Sequence, residues 1–402
     1  MLKLFRALAI SLAAAAISAA PAAAQSTAQQ SSEFQSWEMP GWTVTPGIVV
    51  GELYDSNVAL AAPASGTNKT ASDRLFEVEP YGQIEYIDPR TNFFSGYRGD
   101  FYRYSTLNAL DDVNHTAYVS LRRLLTRRVT LSVSDYFMRA PTTDQLQLNG
   151  VPFLRRGSQY DDLTGTLDAQ LSRRTELSTR YDLTWAKFQR SDTLLSGGTV
   201  NGIRTDLLRL VTDRVGIGGE YTVRWSDLNV NTRLLAFQEF GGVVRYHAAP
   251  TITLEIAAGI GHLADFVQQL SRTGPYVRGD LTDHLRRATV GLHYERRYTP
   301  TLGFGGSNQS QEASGSIQMP LIRRGLYVES TVLWRQTNPI FPGVLPLNSF
   351  WLRATGGYAL QRWVRIEVYD SYAREDTRET PQPIFRTIAG VQVVLSQPMR
   401  IR

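Results

Sequence analysis

Gly41-Trp42-Thr43-Val44-Thr45-Pro46-Gly47-Ile48-Val49-Val50-Gly51-Glu52-Leu53-Tyr54-Asp55-Ser56-Asn57 is a run of β-forming residues that starts after a polar segment and stops at a polar loop. Its length and composition read as the first strand of a large β-barrel. The chain after it repeats one unit: an alternating strand, a tight turn, a second alternating strand, and a longer polar loop.

The alternation has a period of two. Leu177, Thr179, Tyr181, Leu183 and Trp185 interleave with Glu176, Ser178, Arg180, Asp182 and Thr184. Val364, Ile366 and Val368 interleave with Arg365, Glu367 and Tyr369, and the pattern recurs at 129–134, 163–171 and 251–258. In a soluble sandwich the apolar face points to a core. In a membrane barrel it points to lipid, and the polar face lines the bore. Two features favour the second arrangement. Several runs exceed the roughly five or six residues of soluble strands and fit the ~9–11 of a tilted span. The polar set also carries many charges, which a filled core would not tolerate.

Short connections recur at Leu124-Leu125-Thr126-Arg127-Arg128, Leu171-Ser172-Arg173-Arg174-Thr175, Leu210-Val211-Thr212-Asp213-Arg214 and Leu360-Gln361-Arg362-Trp363. Longer segments rich in Gly, Asn, Pro, Asp and Thr lie between them at 55–74, 106–112, 140–158, 189–203, 264–272, 299–308, 337–346 and 375–383. The turns are assigned to the periplasmic rim and the loops to the outside. The expected fold is therefore all-β: a transmembrane antiparallel up-and-down barrel of 18 strands, with 16 as the second option. Its weakest strands are 204–211 and 273–281.

The N-terminus has the form of an export signal. Lys3 and Arg6 precede the apolar run Ala7–Ala20, and Ala22-Ala23-Ala24 supplies a cleavage site. The run is shorter than the roughly 18–20 residues of a spanning helix, and Pro21 ends it. The expected layout is a signal peptide at 1–24, a periplasmic arm at 25–40, the barrel at 41–396 and a tail at 397–402. Cleavage lowers Lys plus Arg from 42 to 40 against 37 Asp plus Glu, a net charge of +3. That balance gives no reason to expect nucleic acid. Cysteine is absent, so an exported chain must be held by something other than disulfides, and a closed barrel meets that need.

The opening Pro46…Tyr54-Asp55-Ser56-Asn57 strand and the Leu-Thr-Arg-Arg type of turn resemble the outer-membrane β-barrel porin family of Gram-negative bacteria. The resemblance spans most of 41–396. It implies residence in the outer membrane, insertion by the outer-membrane assembly machinery, and contact with outer-membrane lipid and lipopolysaccharide. Some members of that family are linked to export of capsular or exopolysaccharide. One departure concerns the end of the chain: such barrels finish on an aromatic residue, whereas here Gln397-Pro398-Met399-Arg400-Ile401-Arg402 follows the last strand.

By alternation, Arg98, Asp100, Arg122, Asp168, Arg180, Asp182, Glu255, Arg287, Glu295, Glu329, Arg335, Arg353, Arg365 and Glu367 are expected to line the lumen. Rings of such charges set ion preference, and their near balance predicts weak charge selectivity. Tyr102, Tyr118, Tyr136, Tyr327 and Tyr369 are candidates for stacking on sugar rings; the competing reading makes them packing residues. Loop 140–158 is a candidate constriction. The five histidines have no metal-ligand spacing, and no nucleophile elbow is present. No enzyme, metal or cofactor is expected. The expected function is passage of a hydrophilic solute, with polysaccharide as one option. A structural barrel with a blocked lumen and a soluble exported β-protein are the alternatives.

Overall fold

The structure is a computed structural model and describes residues 41–63, 70–189, 195–228, 233–266, 269–285, 287–321, 325–340, 346–377 and 382–401. The expected signal peptide and periplasmic arm lie outside these residues.

Eighteen long strands follow one another around a ring: β1 (Gly41–Asp55), β2 (Asp73–Ile87), β3 (Thr91–Tyr104), β4 (Asp112–Thr126), β5 (Val129–Ala140), β6 (Ser158–Ser172), β7 (Thr175–Phe188), β8 (Gly198–Leu210), β9 (Val215–Leu228), β10 (Arg233–Ala249), β11 (Ile252–Asp265), β12 (Leu270–Leu285), β13 (Ala288–Pro300), β14 (Ser307–Pro320), β15 (Leu326–Pro339), β16 (Leu347–Gln361), β17 (Val364–Thr377) and β18 (Ile384–Ser396). Each pairs antiparallel with its neighbours in sequence, and β1 pairs with β18 from Gly47↔Ser396 to Asp55↔Ile388. The ring is closed. The two weakest expected strands are present and longer than read, at 198–210 and 270–285. The expected tail is also drawn into the sheet. Met399–Ile401 forms a short strand, β19, against Trp42–Val44, so the chain after Pro398 adds to the seam.

The recurrent turn motif has a local cause. In three turns the Ser or Thr hydroxyl accepts a hydrogen bond from the amide two residues on: Arg128 N to Thr126 Oγ1, Arg174 N to Ser172 Oγ and Arg214 N to Thr212 Oγ1, each at 3.2 Å. This hydroxyl-to-backbone bond reverses the chain in few residues. Asp88 does the same work between β2 and β3. Its Oδ1 accepts from the amides of Arg90 and Thr91 at 2.6 and 2.7 Å, and the Arg90 amide foremost holds its carboxyl below the usual range.

The Tyr-Asp-Ser-Asn element latches the first strand to the last. Asp55 pairs with Arg386 at 2.7 Å, Ser56 Oγ accepts from Thr387 N at 2.8 Å, and Asn57 Nδ2 donates to Phe385 O at 2.8 Å. All three bonds cross the β1–β18 seam at the loop end of the barrel. This accounts for polar residues where the apolar run stops.

Alternation sorts side chains as expected. Ile217, Phe240, Val244, Ile256, Ile260, Val368, Val391 and Val393 face outward and are exposed. Trp42, Tyr86 and Phe93 cluster on the same outer surface at the turn end, with ring centroids 4.8 and 5.9 Å apart. Exposed apolar surface on this scale, with polar side chains turned inward, reverses the usual soluble arrangement. The sandwich alternative is therefore excluded.

Candidate functional site: the charged lumen and its inner segment

Lumen-facing charges are laid down in pairs along single strands. Arg98 and Asp100, Arg180 and Asp182, Arg204 and Asp206, Arg278 and Asp280, Glu295 and Arg297, and Arg365 and Glu367 each stand two residues apart. Residues i and i+2 share a face of a strand, so opposite charges at that spacing meet. The sequence carries this Arg-x-acid signal plainly, yet a strand-by-strand tally of inward charges overlooks it.

On the β8–β13 side these pairs merge into a network. Arg278 reaches Glu220 at 2.8 Å, Glu255 at 2.7 Å and Asp280 at 2.5 Å, while Arg245 holds Glu255 at 2.8 Å and Glu176 at 2.9 Å. Arg224 holds Glu239 at 2.5 Å, and both are buried. Such a network satisfies its own charges and leaves few groups for a solute.

The opposite side differs. Arg353 on β16 has no carboxylate partner among the described residues and lines the same cavity as Arg98, Tyr102, Tyr136 and Tyr369. Those groups belong to β3, β5 and β17.

The segment 141–157 between β5 and β6 occupies part of the bore. It turns into the barrel and is fastened to the far wall. Trp351 Nε1 donates to Asp144 O at 3.0 Å, Phe153 N donates to Glu375 Oε1 at 2.9 Å, and Arg335 donates to Gln147 O at 2.5 Å. Arg386 Nη1 bonds Asp144 at 3.0 Å while its Nη2 holds Asp55. Arg155 donates to Val58 O at 3.1 Å and also to Leu110 O. Within the segment, Thr143 and Leu154 exchange backbone and hydroxyl bonds at 2.7–3.1 Å, which makes it a closed hairpin-like unit. Leu146 and Val151 pack on Leu195, Leu302, Leu235 and Leu263, filling the β7–β11 side at the loop end. Gly150 has φ +69°, and a Cβ there would lie 1.7 Å from Thr301 Cγ2.

The remaining cavity has a volume of about 870 Å3. Of the expected lumen residues, Arg98, Asp100, Arg180, Asp182, Glu255, Glu295, Arg335, Arg353, Arg365 and Glu367 line it. Arg122, Asp168 and Glu329 share the inward face of their strands but sit nearer the turn end, below that cavity; Asp168 accepts from Ser178 there. Arg287 is a correction. The expected strand began too early, and Arg287 falls in the β12–β13 turn, exposed and outside any wall strand. Glu77, Glu79, Asp144, Trp351, Glu375 and Arg386 are lumen groups that the sequence reading did not single out.

The five tyrosines also line the cavity, Tyr118 and Tyr136 buried and Tyr102, Tyr327 and Tyr369 half-buried, and each packs on neighbouring protein groups. Tyr118 is stacked on Phe94 at 5.0 Å and lies over Gly96, its register partner; Tyr327 lies likewise over Gly357 and donates to Glu367. Tyr136 packs toward Tyr160, and Tyr118 and Tyr136 are only 7% and 6% exposed. Tyr102 and Tyr369 pack against Leu53, Val58, Leu75 and Tyr104. A bulky ring laid over a cross-strand glycine fills the space that the missing side chain leaves.

No family model matches this chain, and no curated relative matches it. Among solved structures it is similar to Acinetobacter baumannii OccAB4 (10% identity, 91% of this chain and 100% of that one, TM-score 0.43). It is also similar to Pseudomonas aeruginosa OccK9, or OpdG (9%, 89% and 98%, TM-score 0.44), and to the outer membrane protein OpdK of Pseudomonas aeruginosa (9%, 89% and 99%, TM-score 0.42). At such identities and scores the likeness carries no functional argument, and the function has to be read from the lumen itself.

Proposed function

We propose that the protein is an outer-membrane channel for small hydrophilic solutes, with segment 141–157 as its constriction. The observation that carries this reading is the pairing of an apolar outer surface with a charged interior that is narrowed, by a segment fastened inside it, to a cavity of about 870 Å3. Only closed barrels and helices satisfy every backbone polar group in lipid, and this ring leaves no open end strand. Polysaccharide passage is not favoured, because Tyr118 and Tyr136 are buried and Tyr102, Tyr327 and Tyr369 are half-buried against other side chains, which leaves no open row of rings for a sugar chain. The test is conductance in planar bilayers together with swelling of proteoliposomes in sugars of increasing size. Deleting 143–153 is expected to raise conductance and the size limit. A wild-type barrel that inserts yet passes neither ions nor sugars would favour the structural-barrel alternative instead.

A further inference from the structure

Three of the short turns share one construction. In each, the strand entering the turn skips a residue in the ladder just before the chain reverses. The register shifts between Leu124 and Thr126, between Gln170 and Ser172, and between Ala359 and Gln361. The residue left unpaired is a leucine every time: Leu125, Leu171 and Leu360, which are 48%, 54% and 53% exposed. A bulge of this kind re-aims a side chain out of the ladder's alternation. Arginines follow two residues on: Arg127 with Arg128, Arg173 with Arg174, and Arg362. All five are exposed, and none forms an ion pair among the described residues, unlike Arg245 and Arg278 in the bore.

The charge at this end is not balanced locally. Between the strands there the sequence places two acids, Asp88 and Asp213, and Asp88 is already engaged by the amides of Arg90 and Thr91. The apolar wall sets the level of the arginines. The outer surface stays apolar down to Trp42, Tyr86 and Phe93 at the turn end, and the bulged leucines extend it into the turns. Two residues at about 3.3 Å each put the arginines within about 7 Å of that apolar edge. The headgroup layer on one side of a bilayer is about 5–7 Å deep. Guanidinium groups at that depth meet phosphate, and their planar fork can bind it through two parallel bonds. A soluble acidic partner would account for the arginines, but not for their place at the edge of an apolar wall.

We infer that these turns bind anionic phospholipid of the adjoining leaflet, each leucine against an acyl chain and its arginines on the phosphate, which rests on the bilayer placement proposed above. The full-length barrel is reconstituted in phosphatidylcholine bilayers with a trace of spin-labelled phosphatidylglycerol or spin-labelled phosphatidylcholine. The spectra give the fraction of each lipid slowed at the protein surface, and hence the ratio of their association constants. One arginine at an anionic headgroup is worth about fivefold, and perimeter sites away from the turns dilute it. The ratio should therefore be about two to five in favour of phosphatidylglycerol at low salt. It should fall toward one at about 1 M salt, where charges act over only about 3 Å. Replacing the five arginines together by Gln should at least halve the excess. Replacing them by Lys, which keeps the charges, should retain most of it, and a heat-modifiable gel shift checks that both variants fold. A ratio of one in the wild type, a ratio indifferent to salt, a preference unchanged by Gln, or an equal loss with Lys would overturn the inference while leaving the barrel in the membrane. A wild type that slows neither lipid would instead refute the bilayer placement, and this inference with it.

Discussion

Asp144→Ala tests whether segment 141–157 is held in the bore by the contacts described. Asp144 accepts from Arg386 at 3.0 and 3.3 Å, and the pair is buried, with 4% and 7% of the side chains exposed. Charge-assisted bonds of this kind are worth about 1.5–3 kcal/mol each, and breaking a buried pair outright costs about 3–5 kcal/mol when it strands a charge. Here Arg386 keeps Asp55 at 2.7 Å, so no charge is stranded. The loss is then about 2–3 kcal/mol, set against the docked state. A change of that size moves the docked-to-undocked ratio by a factor of about 30 to 150. The carbonyl of Asp144 still accepts from Trp351, so the segment loosens without being removed. Single-channel recording should show frequent excursions to a higher conductance that the wild type lacks. A heat-modifiable gel shift equal to that of the wild type checks that the barrel is intact. An intact variant barrel with wild-type conductance and noise would refute the assignment of the segment as an anchored constriction.

Gly150→Ala should loosen the same segment by another route, since a left-handed φ costs an L-residue about 1–2 kcal/mol before the clash with Thr301 is counted; protease cleavage within 141–157 should rise, and no change would count against the packing described. Arg353→Ala should shift the reversal potential in a salt gradient toward cations, because Arg353 has no carboxylate partner to compensate; an unmoved potential would mean that ions pass elsewhere. Removing 399–402 takes away the short pairing with Trp42–Val44 but leaves Gly47–Asp55 paired with Ile388–Ser396, so the barrel should still fold and lose its heat resistance a few degrees earlier. Asp88→Asn should abolish a small acid sensitivity of that turn. A carboxyl held below its usual range stabilises above its unfolded-state range, and that contribution is lost as pH falls through the folded value; hydrogen exchange of the Thr91 amide between neutral and acid pH reads it.

Strand number, outward and inward faces, and turn positions were legible because each depends on local chemistry: a period of two, or a hydroxyl two residues before an amide. The ends of strands were less so. Gly198–Ile203 on β8 and Leu270–Arg272 on β12 have little apolar alternation, and partner strands recruit them into the ladder. Arg287 was misplaced because alternation alone cannot say where a strand begins. The inner segment was legible as long and mixed, but not its fastening. Asp144, Trp351, Glu375 and Arg386 lie far apart in sequence, and no spacing rule links them. The role of Tyr118 and Tyr327 was hidden for the same reason, since each depends on a glycine in the neighbouring strand, and pairing register is a property of the assembled sheet.

Asp55 belongs to the first strand and Arg386 to the last, 331 positions later, and Asp144 meets that guanidinium only beside Asp55. The clamp on the inner segment is thus completed by ring closure. A growing sheet with its terminal edges still apart has two of the three members out of reach, so obstruction of the bore should follow sealing in time. Narrowing of the pore then doubles as a report that biogenesis has finished.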